Sequence, residues 1–372
     1  MRVLITGGAG FIGSHLSDAL LNNGHEVRVI DNLDPQIHGS ARQWPIWMDK
    51  SVETIFGDVR DRAALVRALT NIEVVFHLAA ATGVGQSMYQ ISKYFEVNVQ
   101  GTAHLLDILA KKSHKVRKLI LASSRAVYGE GNYLCQHCGL VAPNQRPLTQ
   151  IDAKQWEVTC PHCTSPLRPI PTPESKIPKP ASMYAITKFT QEQMCKCFGE
   201  TYDLPVVVLR YFNVYGPRQS FTNPYTGIIT VFLSRLFNGR APEVYEDGQM
   251  TRDFVHVSDV VQANLLAMER ESAESPVINV GSGVSTSIHN LAELLCKMIV
   301  PSLRPKVIGI ARVGDIRHCT ADLDLASIYL GYKPRVTLQH GLRSVIDDAK
   351  LRRVEDFSAV ARRELEDSDL LR

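Results

Sequence analysis

The feature that most constrains this chain is a glycine motif close to its first residue, Gly8-Ala9-Gly10-Phe11-Ile12-Gly13. The motif follows a short β-rich run, Val3–Thr6, and precedes a helical pattern, His15–Asn22. Glycines at this spacing allow a tight turn from strand to helix and a close approach to the backbone at the helix N-terminus. A strand, a glycine turn and a helix in this order predict the start of a doubly wound sheet.

Further strand and helix patterns repeat this unit through the first half of the chain. Helix patterns such as Tyr94–Ala110 separate nearly continuous apolar runs, which are typical of buried parallel strands. The runs are Val27–Asp31, Val52–Phe56, Val74–Ala79, Lys118–Ala122 and Val206–Tyr211. This alternation predicts an α/β fold, a Rossmann-like doubly wound parallel sheet with helices on both faces.

The rhythm also predicts how the chain is divided. A Rossmann domain is expected over residues 1–215, interrupted by an insertion at 133–172 that is rich in cysteine and proline. A smaller C-terminal domain is expected over 216–350, with the run 276–281 returning as a strand to the first sheet. Residues 351–372 are highly charged and are expected to form a solvated helix or a frayed tail.

Composition excludes several classes of function. The chain has 372 residues, of which 45% are hydrophobic and 21% charged, as in ordinary soluble proteins. Its net charge of +3 gives no strong attraction to nucleic acid or to anionic lipid. No apolar run approaches the roughly 18–20 residues of a membrane span, and the first strand pattern leaves no room for a signal peptide. We therefore expect a cytoplasmic protein with no nucleic-acid or membrane partner.

The glycine motif also predicts a ligand. The N-terminus of a helix stabilises a pyrophosphate, and glycine lets the backbone reach it. Asp31 ends the next strand, where a carboxylate accepts hydrogen bonds from a ribose 2′-OH and repels a 2′-phosphate. The pattern therefore predicts NAD rather than NADP. Asp58 follows the third strand, in the right order to meet the adenine, although an exposed turn aspartate would give the same pattern.

A second constellation predicts chemistry on an alcohol. Tyr184 and Lys188 are four residues apart and share one helix face. The ammonium is expected to stabilise the phenolate and to lower its pKa by roughly 1–3 units from about 10, which suits a general base. Ser124, at the end of the fifth strand, is expected to hydrogen-bond the same substrate oxygen. A lone serine is more often a turn residue, so this role depends on the other two.

Two C-x-x-C pairs lie in the insertion, Cys135/Cys138 and Cys160/Cys163. Four thiolates suit tetrahedral zinc and close its coordination shell, which predicts a structural zinc-ribbon-like site. The metal would stabilise a long insertion that has little apolar surface to bury. His137 and His162 are alternative ligands, and redox-active thiols or a loop without metal stay open as alternatives.

With these motifs the chain resembles the extended short-chain dehydrogenase/reductase family, and within it the nucleotide-sugar epimerases and dehydratases. The resemblance runs from Met1 to about Asp348, interrupted by the insertion. It is carried by Gly7–Gly13, Asp31, Asp58, His77–Ala80, Asn98–Thr102, Ser124, Tyr184, Lys188, Arg210–Asn213 and Arg252–Val257.

The resemblance implies a role for each matching position. The catalytic residues would be Ser124, Tyr184 and Lys188. NAD would be held by Gly7, Gly10, Phe11, Ile12, Gly13, Asp31, Asn32, Asp58, Val59, Leu78, Ala79, Ala80, Asn98, Tyr184, Lys188 and Phe212. The sugar nucleotide would be held by Ser124, Asn213, Tyr245, Arg252, Arg312 and Asp315. The resemblance also implies a homodimer, formed through the helices that carry Asn98 and Tyr184.

Some residues that relatives in this family carry are absent from this chain, and their absence narrows the possible reactions. Dehydratases of this family carry Thr-Asp-Glu where this chain has Ser124-Arg125-Ala126, which supplies neither the acid nor the base for eliminating water. C4 epimerisation through a 4-keto sugar remains. Related enzymes that act on UDP-glucuronate carry an arginine where this chain has Ser220, and its absence favours a neutral sugar.

The substrate prediction rests on resemblance alone. The insertion and the segment 223–227 are most similar to proteins assigned as dTDP-L-rhamnose 4-epimerases, which interconvert dTDP-L-rhamnose and dTDP-6-deoxy-L-talose. A UDP-hexose 4-epimerase, acting on UDP-glucose, UDP-galactose or their N-acetylated forms, stays open as the alternative. A non-enzymatic, NAD-sensing protein that binds a partner is the alternative from another class, and the intact Ser124, Tyr184 and Lys188 argue against it.

Overall fold

The computed structural model describes residues 1–372 except 112–113, 222, 224, 226, 271–275 and 353. Its strands are β1 (Arg2–Thr6), β2 (Glu26–Asp31), β3 (Glu53–Phe56), β4 (Val74–His77), β5 (Lys118–Ser124), β6 (Asn132–Cys135), β7 (Gly139–Val141), β8 (Leu167–Ile170), β9 (Val206–Tyr211), β10 (Asn213–Tyr215), β11 (Glu243–Val244), β12 (Thr251–His256), β13 (Val277–Val280), β14 (Ser285–Ser287), β15 (Lys306–Val307) and β16 (His318–Cys319).

The helices alternate with these strands through the first half of the chain. They are α1 (Phe11–Asn22), α2 (Pro35–His38), α3 (Arg62–Ala68), α4 (Val84–Ser87), α5 (Ile91–Tyr94), α6 (Gly101–Leu109), α7 (Leu148–Asp152), α8 (Met183–Tyr202), α9 (Ile228–Phe237), α10 (Val257–Glu269), α11 (Ile288–Ile299), α12 (Asp324–Leu330), α13 (Leu338–Lys350) and α14 (Ser358–Asp367). A π-helical segment, Phe95–Gln100, joins α5 to α6, and a 3₁₀ turn, Arg125–Tyr128, follows β5. No helix in the described part of the chain is long and apolar enough to cross a membrane.

Seven parallel strands form the central sheet in the order β13-β9-β5-β4-β1-β2-β3. The chain builds β1 to β3 outward in one direction and then crosses over to β4 and the strands beyond it. The order therefore reverses between β1 and β4, and such a reversal opens a crevice at the carboxyl ends of the strands. The predicted doubly wound parallel sheet is confirmed. The strand within 276–281 is β13, which pairs in parallel with β9.

Apolar side chains cover both faces of this sheet. Leu16 and Leu20 of α1 and Val260 of α10 pack on one face. Leu65 of α3, Leu105 of α6 and further residues of α8 pack on the other. Helices on both faces explain why the inner strands are nearly continuous apolar runs, since neither face of those strands meets water, whereas the edge strand β3 is largely exposed.

The region after β10 forms a separate small core. Strand β12 pairs in parallel with β10 and β16 and in antiparallel with β14. Helices α9, α11 and α13 pack together through Phe232, Leu291 and Val345, all of which are buried. This region lies over the carboxyl ends of the central sheet, where the two together enclose a cavity.

The insertion folds as a small antiparallel sheet. Strand β6 lies between β7 and β8. Its core contains Tyr133, Val141, Val158 and Leu167 together with buried cysteines. Because this core has few apolar residues, their burial supplies little free energy of folding. The subdomain therefore needs another source of stability.

The C-terminal tail contains helix α14, one side of which lies against the rest of the protein. Helix α14 lies along the cavity, where Leu365 is buried. The Arg235 guanidinium donates to the Ser358 hydroxyl at 3.1 Å, and the Tyr89 hydroxyl donates to Glu364 Oε2 at 2.7 Å. These two bonds tie the tail to residues that are distant in the chain.

Candidate active site

A cavity of about 1050 Å³ lies at the carboxyl ends of the central strands. Pockets for a single small ligand have roughly 300–1000 Å³, so this cavity has room for a large ligand or for two ligands. Of the residues that the sequence predicts to hold NAD or sugar nucleotide, all but Asn98 line it. The topology thus brings together side chains that are far apart in the chain.

The glycine loop forms one end of the cavity. The Gly10 N–H donates to the Gly7 carbonyl oxygen at 3.2 Å, which closes the turn before α1. A Cβ atom on Gly13 would lie 2.6 Å from that same oxygen, so only glycine fits there. Because Gly10 has no side chain to cap α1, the first N–H groups of the helix are free for an anion. This cradle fits the pyrophosphate of a dinucleotide.

Two carboxylates lie where the adenosine of that dinucleotide would bind. Asp31 Oδ2 accepts from the Ala9 N–H at 3.1 Å and Oδ1 from the Leu33 N–H at 2.9 Å. Burial raises the pKa of Asp31, against the opposing effect of these bonds. Burial also opposes ionisation of Asp58, but hydrogen bonds from Arg60 outweigh it, and the pKa of Asp58 is lowered. The chemistry and order of these groups suit NAD.

Asn98 does not reach the cavity. It is fully buried behind the wall, where its side-chain oxygen accepts from the Ala81 N–H at 2.8 Å and its Nδ2 donates to the Ala81 carbonyl at 3.1 Å. Nδ2 also donates to the Thr187 hydroxyl at 2.9 Å. Asn98 therefore fixes the loop after β4 to α8. Asn98 was predicted to support the cofactor. It can do so only indirectly, by holding the backbone of Ala81, which lines the cavity.

Ser124, Tyr184 and Lys188 lie together on the cavity wall. Ser124 ends β5, and its hydroxyl lies within hydrogen-bonding reach of the Tyr184 phenol. Helix α8 begins at Met183, after the Ser182 hydroxyl accepts from the Ala185 N–H at 3.2 Å. This cap places Tyr184 in the first turn and Lys188 one turn deeper. The side chains of Ser124 and Tyr184 can thus meet one substrate hydroxyl.

The predicted effect of Lys188 on Tyr184 was wrong in one respect. Burial raises the pKa of Tyr184, and the influences that oppose it come from the Ser124 hydroxyl and the Arg125 guanidinium. Lys188 Nζ instead donates to the Ala122 carbonyl oxygen at 2.9 Å, and burial lowers its pKa to about 8. The ammonium is held by the end of β5 rather than directed at the phenol. Among the residues that the structure describes, the cation that opposes the raised pKa of Tyr184 is Arg125.

A cationic group forms the other end of the cavity. Asp315 accepts from Arg252 Nη2 at 3.3 Å and from Arg312 Nη2 at 3.1 Å. Burial raises the pKa of Asp315, but the two guanidinium groups outweigh it and lower the pKa to about 2. Tyr245 lines the cavity beside them. Two fixed guanidinium groups suit a diphosphate, which each binds through two oxygens.

Sequence reasoning missed two contributions to this end. Arg125 was considered only as an unsuitable acid or base, although its charge lies close to Arg252 and Asp315. Burial lowers its pKa to about 10. The second is α14, whose Arg362 and Leu365 line the cavity. The position of Arg125 directly after Ser124 could have revealed the first, whereas nothing local in the sequence indicates the second.

The four cysteines of the insertion converge on one point. The sulfur atoms of Cys135, Cys138, Cys160 and Cys163 lie within 4.8 Å of one another. Sγ of Cys135 and Sγ of Cys163 are 3.5 Å apart. Among the described residues, neither histidine of the insertion joins this group. Four thiols at such separations fit a single tetrahedral ion of the zinc type.

Comparison with known proteins places this arrangement in a family. The model of the NAD dependent epimerase/dehydratase family matches residues 3–147 and 161–281. The chain belongs to the NAD dependent epimerase/dehydratase family. The gap in this family match, residues 148–160, lies within the insertion.

Several named relatives in this family are epimerases, and another is a UDP-N-acetyl-alpha-D-glucosaminuronate decarboxylase of Bacillus cytotoxicus. The chain is 38% identical to a dTDP-L-rhamnose 4-epimerase of Burkholderia thailandensis, over 92% of this chain and 93% of that protein. It matches the structure of Thermotoga maritima UDP-glucose 4-epimerase with UDP-glucose, with a TM-score of 0.75, 32% identity and coverage of 94% and 99%. It also matches Bacillus cereus UDP-glucuronic acid 4-epimerase in complex with UDP-glucuronic acid and NAD, with a TM-score of 0.76, 28% identity and the same coverage.

Proposed function

We propose that this protein is an NAD-dependent nucleotide-sugar 4-epimerase. The observation that carries the proposal is that three groups of residues line one cavity. Ser124, Tyr184 and Lys188 lie between a glycine cradle for a dinucleotide and an arginine cluster for a diphosphate. The epimerases among the relatives support the same activity.

In this mechanism Tyr184 removes the proton from the C4 hydroxyl of the sugar, and Ser124 donates a hydrogen bond to the same oxygen. Gly10, Gly13 and Asp31 would hold NAD, which would supply hydride acceptance and return at C4. The 4-keto sugar turns about its diphosphate linkage, which Arg252 and Arg312 hold. Tyr184 then returns the proton to the C4 oxygen, so the enzyme regains its starting state.

The proposed base can be tested with a single substitution. Tyr184→Phe removes one hydroxyl, and loss of general acid–base catalysis lowers the rate by roughly 10²- to 10⁴-fold. Tyr202→Phe is the matched control, because Tyr202 lies on the same helix but is 39% exposed and outside the cavity. Epimer ratios are followed by chromatography of the sugar nucleotides. Equal rates in the two variants would refute the role of Tyr184.

For the substrate we propose dTDP-L-rhamnose, converted to dTDP-6-deoxy-L-talose. The relative at 38% identity supports it, and the neutral sugar agrees with Ser220, where UDP-glucuronate enzymes have an arginine. The segment 223–227 includes residues 224 and 226, which lie outside the described residues. A UDP-hexose is the second candidate, supported by the likeness to a UDP-glucose 4-epimerase. Turnover of UDP-glucose with dTDP-L-rhamnose inert would exclude the first substrate.

We further propose that Cys135, Cys138, Cys160 and Cys163 hold one structural zinc ion. The support is their convergence and the small apolar core of the insertion. Metal analysis should give about one zinc per chain. Cys138→Ser should reduce this content, whereas Cys197→Ser, at an exposed cysteine of α8, should leave it unchanged. If the wild-type protein, expressed in zinc-supplemented medium, is purified without bound zinc, this proposal is wrong.

We also propose a homodimer through α8 and the helical segment that carries Asn98. In support, Ile91 and Phe95 on that segment are 44% and 36% exposed, which leaves apolar surface for a partner helix. Light scattering measures the mass directly. Phe95→Glu should shift a dimer toward monomer, and a monomeric wild type would contradict the proposal.

A further inference from the structure

The insertion meets the proposed substrate region through a buried group of charges. Arg146 of the insertion donates to both carboxylate oxygens of Glu246, from Nη1 at 2.9 Å and from Nη2 at 2.7 Å. Glu246 also accepts from Arg317 Nη1 at 2.9 Å. The side chains of these three residues are at most 1% exposed. A second insertion residue, Glu157, pairs with Arg317 from the solvent side.

Each partner adjoins a residue of the cationic end of the cavity. Glu246 directly follows Tyr245, and Arg317 lies two residues beyond Asp315. Arg146 Nη2 also donates to the carbonyl oxygen of Asp315 at 3.3 Å. One insertion side chain therefore touches both segments that form this end of the cavity.

The residues just before the insertion and its last residue, Thr172, bind the same segment. The Gly131 N–H donates to the His318 carbonyl oxygen, and the Thr172 N–H donates to the Thr320 carbonyl oxygen, both at 2.8 Å. Glu130 accepts from the Arg317 N–H at 2.8 Å. The chain after Asp315 is thus anchored near both ends of the insertion.

Buried ion pairs contribute little net stability, because desolvation offsets their attraction. They do fix geometry, since a guanidinium that forks onto a carboxylate is held at two points. The group around Glu246 is therefore better suited to orienting the cavity wall than to stabilising the fold. Among the described residues, the partners of Arg146 are Glu246, Asp315 and the Trp156 carbonyl, none of which lies in the glycine loop.

We propose that the insertion is a positioning element for the nucleotide diphosphate, and that Arg146 is its main positioning residue. Arg146 orients Tyr245 through Glu246 and orients the Arg312–Asp315 segment through the Asp315 carbonyl. It does not touch substrate itself. The proposal rests on the proposed function in assigning the diphosphate to this end of the cavity, and it leaves the binding of NAD independent of the insertion.

The test is Arg146→Met, with free UDP, free dTDP and NAD as separate probes in titration calorimetry. Loss of one element of a coupled network changes affinity by roughly two- to thirty-fold. The affinity for UDP or dTDP, whichever the wild type binds more tightly, should therefore fall by that factor. NAD affinity should stay unchanged. In turnover, KM for the sugar nucleotide should rise while kcat is retained. Arg168→Met is the matched control, because Arg168 is an exposed arginine on β8 of the same insertion.

The outcomes separate the alternatives. Arg146→Met with unchanged diphosphate affinity overturns the proposal, as does equal weakening of diphosphate and NAD, which indicates general destabilisation. A wild type that binds neither diphosphate also overturns it. If Arg146→Met does not fold, Glu157→Gln, at a half-exposed partner of Arg317, should give a smaller weakening of diphosphate alone. If diphosphate binding responds as expected but no sugar is epimerised, the positioning role stands and the proposed function fails.

Discussion

Glu192 offers the sharpest test of how the catalytic helix is held. It lies one turn beyond Lys188 on α8, where its carboxylate accepts from Arg210 Nε at 2.9 Å and from Nη2 at 2.7 Å. The Ser123 hydroxyl donates to the same carboxylate. Arg210 also lies over the Tyr128 ring, 4.7 Å from its centroid. Glu192 and Arg210 are 0% and 4% exposed, so water cannot replace either partner.

Glu192→Gln keeps the volume of the side chain and removes its charge. The buried Arg210 guanidinium then loses its hydrogen-bonded counter-ion, which costs about 3–5 kcal/mol. Stabilities of about 5–15 kcal/mol are typical, so the variant should fold but with a much reduced free energy of unfolding. The charge of Glu192 also opposes the burial that lowers the pKa of Lys188 to about 8. Its removal should therefore lower the pKa of Lys188 further.

Urea unfolding followed by circular dichroism measures the loss of stability. Asp347→Asn is the matched control, because Asp347 pairs with Lys350 at 2.8 Å on the surface, where such pairs contribute little. The double variant Glu192→Met with Arg210→Met should recover much of the stability, since no unpaired charge stays buried. A Glu192→Gln protein within about 1 kcal/mol of wild type would refute this account of the pair.

Three further predictions concern His77, Asp31 and the C-terminal helix α14. His77 is buried between the Thr6 and Thr102 hydroxyls, and burial lowers its pKa from 6.5 to about 3. Between pH 6.5 and 3, His77 takes up a proton in the unfolded chain but not in the folded protein. The urea midpoint should therefore fall as the pH drops through this range, and a midpoint that does not change with pH would contradict this. Asp31→Ser removes the carboxylate that repels a 2′-phosphate, so fluorescence titration should show NADP binding approaching that of NAD, and continued exclusion of NADP would contradict the role of Asp31. Deletion of residues 358–372 removes the α14 wall and should weaken diphosphate binding with NAD affinity retained in calorimetry, whereas equal losses of both would indicate a folding defect.

The sequence predicts the central sheet well because its signals are local. A strand buried on both faces is a run of apolar residues, and the glycine turn lies within one short segment. The residues at the strand ends are then brought together by topology alone, which is why Asp31 and Ser124 could be assigned to one crevice.

Other parts depend on partners that sequence alone does not pair. Arg146 and Glu246 are 100 residues apart, and each looks like an ordinary surface charge in its own segment. Helix α14 likewise binds residues that are distant in the chain. Burial likewise decides the pKa of Tyr184, and the i, i+4 spacing with Lys188 carries no information about it.

The last residue of the chain has a practical consequence for handling this protein. The backbone of Arg372 exchanges two hydrogen bonds with Ala311, with N···O distances of 2.9 and 2.7 Å, beside Arg312 of the cavity. A purification tag fused after Arg372 would begin close to Arg312 of the cavity wall. Met1 precedes β1 at the amino ends of the parallel strands, opposite the carboxyl ends that face the cavity, so a tag placed there would lie away from the site.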